Sequence, residues 1–90
     1  MQVVVKYLSV LIPITRKKSE IIQLEGETSI ENLVEILCDK YGTRFMGMIY
    51  MQSNSRKYFV HFLVKNQAVD DTYYLKDGDE VTILLALGGG

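Results

Sequence analysis

Ninety residues, 48% hydrophobic and 23% charged, make one ordinary globular domain that can fold alone on a modest core. A formal net charge of −1, with no basic run beyond Arg16-Lys17-Lys18, gives nucleic acid no electrostatic footprint. No apolar stretch approaches the roughly 20 residues of a membrane span. Residues 1–6 lack the charged start of a secretory signal, and the single cysteine, Cys38, cannot close an internal disulfide, so a cytoplasmic setting is expected.

Residues 3–12 are rich in β-branched side chains and predict a first strand. Val3, Val5 and Tyr7 lie on one face and Val4, Leu8 and Val10 on the other. Apolar residues on both faces suggest a central strand, and Pro13, which has no N–H to give a ladder, is expected to end it. Residues 15–18 read as a solvated turn. Residues 20–24 then form a second, antiparallel strand that closes at Glu25-Gly26.

The spacing next predicts a helix. Thr28-Ser29-Ile30-Glu31 fits a capping box with Thr28 as N-cap, and Ile30, Leu33, Val34, Leu37, Cys38 and Tyr41 form one apolar stripe. Gly42 stands where such helices end. Residues 43–57 read as a short irregular or strand-like piece followed by a loop at Gln52-Ser53-Asn54-Ser55. A third main strand is expected over 58–65, with a tight turn at Asn66-Gln67 into Ala68-Val69. Residues 76–79 form a turn around Gly78, and the last strand covers 81–87. One helix among these strands either crosses over from the second strand to the third, or covers one face while the first and last strands pair centrally in parallel. The second arrangement is the β-grasp. The expected class is therefore α+β, a β-grasp with a mixed sheet of four to five strands and one main helix on one face.

Gly88-Gly89-Gly90 closes the chain. Three residues without Cβ atoms make a thin thread, about 3.3–3.6 Å per residue when extended. Residues 1–87 are thus expected to be the domain and 88–90 a flexible tail holding one carboxylate. Such a tail either enters another protein's narrow channel or serves no purpose, and the residues before it decide between these.

Leu75-Lys76-Asp77-Gly78-Asp79-Glu80-Val81-Thr82-Ile83-Leu84, ending in Gly89-Gly90, resembles the ending of the MoaD/ThiS family of ubiquitin-like sulfur carriers. Val64-Lys65-Asn66 followed by Val69 is similar to that family's hairpin, and Ile30 to Leu37 occupies its helix position. The chain departs from the family at Gln67, where glycine is usual, and at Leu84-Leu85-Ala86, which replaces a frequent proline pair. The resemblance implies that the Gly90 carboxylate is adenylated by an E1-like enzyme of the MoeB/ThiF type. It would then become a thiocarboxylate that passes sulfur to an acceptor such as the molybdopterin synthase large subunit or thiazole synthase, or into tRNA thiolation. ATP and Mg²⁺ would belong to the activating partner, with no cofactor on this chain and no catalysis of its own, although it could count as the small subunit of a molybdopterin synthase. Gly88 and Gly89 would let the partner's channel close around the backbone. Two alternatives stay open: a protein modifier joined to lysines through Gly90, and a plain interaction module.

Alternation proposes a partner surface. If Val81 and Ile83 face the helix, Thr82, Leu84 and Ala86 face away, and on the neighbouring strand Phe59, His61 and Leu63 do the same. Phe59, Leu63, Leu84 and Leu87 are accordingly the candidate contact residues beside the tail. Cys38, on the helix's apolar stripe, reads as a buried structural thiol. His61, with no Ser, Cys or Asp motif around it, reads as a sheet-face residue. Asp77, Asp79 and Glu80 lack the spacing of a calcium loop and read as turn residues, so no metal site is assigned.

Overall fold

The computed structural model describes residues 1–50 and 58–85. In chain order these form β1 (Gln2–Tyr7), α1 (Leu11–Thr15), β2 (Ser19–Gln23), α2 (Ile30–Tyr41), α3 (Thr43–Ile49), β3 (Val60–Val64), β4 (Gln67–Val69) and β5 (Glu80–Leu85). The sheet order is β2-β1-β5-β3-β4. β1 and β5 run parallel at its centre, Val5 opposite Val81, while the other pairings are antiparallel. The first and last strands are therefore neighbours, and the fold is the β-grasp, with α2 as the main helix.

The core lies between α2 and one sheet face. Val3, Val5 and Tyr7 of β1, Val81 and Ile83 of β5, and Val60, Phe62 and Val64 of β3 are buried against Ile30, Leu33, Val34, Leu37 and Cys38. Strand residues two apart share a face, and so each strand contributes alternate positions to one layer. No helix among the described residues is long and apolar enough to cross a membrane.

Four expectations need correction. β1 stops at Tyr7, short of Pro13, because Ser9 (φ 54°) turns the chain into α1. Pro13 sits in that helix's first turn, where its missing N–H would have found no intrahelical partner. The N-cap of α2 is Ser29, one residue later than expected. Its Oγ accepts from the Asn32 N–H (3.2 Å) and Asn32 Oδ1 accepts from the Ser29 N–H (3.4 Å). Thr28 is occupied otherwise: its hydroxyl donates to Gly26 O (2.9 Å) and its carbonyl accepts from the Leu75 N–H (2.8 Å).

The third correction is α3, in the stretch read as irregular or strand-like. Phe45 and Ile49, four apart, are both fully buried, and Phe45 meets the rings of Tyr7 and Tyr41. The proposed loop at 52–55 lies outside the described residues. Fourth, the hairpin between β3 and β4 turns on Lys65 (φ 52°) and Asn66 (φ 66°), a two-residue turn of type I′. Gln67 is the first residue of β4, opposite Val64. A glycine is therefore not required at position 67.

Candidate functional site

β5 carries the chain toward its C-terminal residues, and its position is fixed from both sides. β1 supplies partners for Glu80 to Ile83, and β3 supplies partners for Val81 to Leu85. The turn that launches β5 is locked by Asp79, only 2% exposed, whose carboxylate accepts from the Lys76 N–H (2.9 Å) and the Tyr73 hydroxyl (3.2 Å). Gly78 takes a positive φ of 85° in this turn. Asp77 Oδ1 accepts from the Gln2 N–H (2.9 Å), and Glu80 pairs with Lys6 (3.5 Å). Asp77 and Glu80 thus fasten the start of β5 to β1, while Asp79 holds the turn itself. Among the described residues no group of three His, Cys, Asp or Glu is placed to hold a metal ion.

The sheet face turned away from α2 carries the proposed contact residues. Thr82 and Leu84 of β5 are half-buried there, Leu63 stands opposite Thr82, and exposed His61 stands opposite Leu84. Leu63 and Leu84 are therefore diagonal neighbours across two strands, a separation of about 7–8 Å in such ladders. Phe59 is 41% exposed and stands one residue before β3. Its N–H donates to Ile49 O (2.8 Å), which ties it to the end of α3, at the end of β3 that meets the end of β5. Leu87, Gly88, Gly89 and Gly90 lie outside the described residues. The same face also holds Val4 opposite Ile21, across β1 and β2, which the sequence reading did not single out.

A second feature escaped the sequence. Glu20 of β2 turns toward the helices, with its side chain only 6% exposed. It accepts hydrogen bonds from the hydroxyls of Tyr7 and Tyr41 and from the ammonium groups of Lys17 (3.2 Å) and Lys40 (2.6 Å). Burial alone would raise its carboxyl, but the bonds from Lys40, Tyr41, Tyr7 and Lys17 outweigh that and lower it to about 2. Burial and the carboxylate together push the Tyr7 phenol far upward. With four donors on two oxygens, this cluster is a fastening between sheet and helix. Cys38 is buried on the α2 stripe, and burial pushes its thiol up, which is unfavourable for a nucleophile.

The ThiS family model matches residues 5–90. No curated protein matches the sequence. Among solved structures, SAMP1 from Haloferax volcanii superposes with a TM-score of 0.82 at 12% identity, covering 100% of both chains. A putative molybdopterin converting factor subunit 1 from Pyrococcus furiosus gives a TM-score of 0.79 at 23% identity, covering 93% of this chain and 95% of that one. A chain of the Amycolatopsis orientalis BexX/CysO complex gives 0.71 at 22% identity, covering 98% and 99%. These likenesses establish the fold.

Proposed function

The chain belongs to the ThiS family, and from that premise we propose that it is a sulfur carrier whose Gly90 carboxylate is activated by a separate adenylating enzyme. A carboxylate is a poor electrophile because its charge is delocalised and oxide is a bad leaving group. Attack of a carboxylate oxygen on the α-phosphorus of ATP releases pyrophosphate and leaves an acyl adenylate. A sulfide-level nucleophile then displaces AMP and leaves a thiocarboxylate. In this reading ATP and Mg²⁺ belong to an E1-like partner in the cytoplasm, and this chain supplies the acyl group and the surface by which it is recognised.

The observation that carries this reading is the reach of the family match, which runs through the fold and on to Gly90. The fold supports it, because β5 is held between two strands as far as Ile83 and by β3 on to Leu85, five residues before that carboxylate. Phe59, Leu63 and Leu84, with Leu87, form the proposed docking patch for the activating enzyme and the sulfur acceptor. The similarity to a chain solved in the BexX/CysO complex fits a carrier that works with a partner. Gly88 and Gly89, having no side chains, suit a channel that closes around the backbone.

Intact-mass measurement on the chain from its native cells tests the proposal. A species heavier by the difference between sulfur and oxygen is expected, and it should vanish when Gly89 and Gly90 are deleted, with no change in melting temperature. The likeness to SAMP1, a small archaeal modifier protein, supports a second reading in which the same adenylate is consumed by a lysine amine. Isopeptide-linked conjugates without any thiocarboxylate would establish that reading in place of the first.

A further inference from the structure

The two edges of the sheet are unlike. β4 is three residues long and gives way to Asp70, a short, acid-ended edge of the kind that resists pairing. β2 is five residues long, and the side chains of its open positions, Ser19, Ile21 and Gln23, carry no charge. Met1 and Leu24 exchange both backbone bonds, at 2.9 and 2.7 Å, and the Tyr7 N–H reaches Lys18 O at 2.9 Å. In an antiparallel ladder, pairs that exchange bonds alternate with pairs that do not. Ile22 and Glu20 therefore bond to β1, while Ser19, Ile21 and Gln23 aim their N–H and C=O groups outward. All three side chains are uncharged and exposed. Ile21, at the centre, is 59% exposed, the most exposed large apolar residue among those described.

The flanks of β2 have opposite charge. Arg16, Lys17 and Lys18 precede it, and Glu25 and Glu27 follow it. Lys17 is engaged with Glu20. Arg16, Lys18, Glu25 and Glu27 are exposed and enter no ion pair among the described residues.

We propose that the open edge of β2 pairs with β2 of a second copy of this chain, antiparallel about a two-fold axis at Ile21. In this register Ser19 stands opposite Gln23 of the second copy and Ile21 opposite its own equivalent. All three outward backbone positions then find partners, and the two isoleucines cover each other. The same register lays the basic flank of each copy along the acidic flank of the other, position 17 opposite position 25. A parallel pairing would instead set base on base. A two-fold contact needs a patch complementary to itself, and this strand is so in backbone, in apolar surface and in charge. The axis stands perpendicular to the joined sheet, so both copies keep their helices on one side and their docking faces on the other.

An edge this short buries little area, so the dimer is weak and forms at high concentration. Sedimentation of the full chain, taken up to about 1 mM, should show the mass rising from 10.3 kDa toward twice that value. Over the same range the amides of Ser19, Ile21 and Gln23 should slow in hydrogen exchange, while those of Glu20 and Ile22 stay protected throughout. Ile21→Lys sets like charges on the axis at an exposed site, and should give a monomer with an unchanged melting temperature. Glu25→Lys with Glu27→Lys should also separate the copies, and adding Arg16→Asp and Lys18→Glu should bring them back together. A mass that stays at one copy, a dimer that survives Ile21→Lys, or edge amides protected only by another protein's strand would each overturn the proposal.

Discussion

Glu20 shows what a single side chain contributes when its surroundings are complete. Its folded carboxyl value of about 2 lies below the ordinary 4.5. The stabilisation is therefore fully present above about pH 4.5 and drains away as pH falls toward 2. Glu20→Gln should cost up to roughly 3 kcal/mol near neutral pH, and the difference from the unaltered chain should shrink toward zero as the pH falls through about 2. Urea unfolding at several pH values measures this; a difference independent of pH would mean that the fastening is not electrostatic. None of it was legible in the sequence, because the four donors come from Tyr7 on β1, Lys17 in the loop before β2, and Lys40 and Tyr41 on α2, which only the fold brings together. Cys38 was legible, because its burial follows from helical periodicity alone.

Elements were readable where one periodicity dominated. α2 was plain from its stripe, although the cap lay one residue off, since Thr28 and Ser29 are both capping residues and Thr28 is taken up by its bonds to Gly26 and Leu75. α3 was missed because its apolar residues are crowded enough to fit both periods, and because Gly47 at its middle disfavours a helix. The spacing of Phe45 and Ile49 was the available signal. A Cβ added at Gly47 would meet nothing within 4 Å. Gly47→Ala should accordingly stabilise the chain by about 0.5–1 kcal/mol, read as a higher urea midpoint, and a lower midpoint would show that α3 needs the glycine for another reason. At the hairpin, Lys65 and Asn66 supply the turn by themselves, and the departure at Gln67 is harmless to it.

At the scale of the whole molecule, the parallel pairing of the first and last strands could be argued from element order, but only as one of two arrangements. The chain separates one inner from one outer residue at each step of β3 and β5. That let alternation place Val81 and Ile83 inward and Leu63 and Leu84 on the opposite face. Alternation could not reveal Ile21, because β2 is too short and mixed for its faces to be told apart without β1 beside it. If the face holding Leu63 and Leu84 docks the activating enzyme, Leu84→Asp should lower the adenylation rate about tenfold or more, with folding still cooperative and the melting temperature shifted by only a few degrees. Loss of folding in that variant would place Leu84 in the core and remove the patch.

The partners of β1 at the centre of the sheet are the residues from Glu80 onward. As the polypeptide is synthesised, the β1–β2 hairpin must wait beside the ribosome with an unpaired side, since the strand that fits there is made some seventy residues after β1. Contacts that span nearly the whole length of a polypeptide form slowly, and a nascent hairpin in that condition invites foreign strands. Any product of early termination before position 80 lacks the central partner of β1 and should be readily cleaved by proteases. The centre of this sheet thus closes only after β5 has been made.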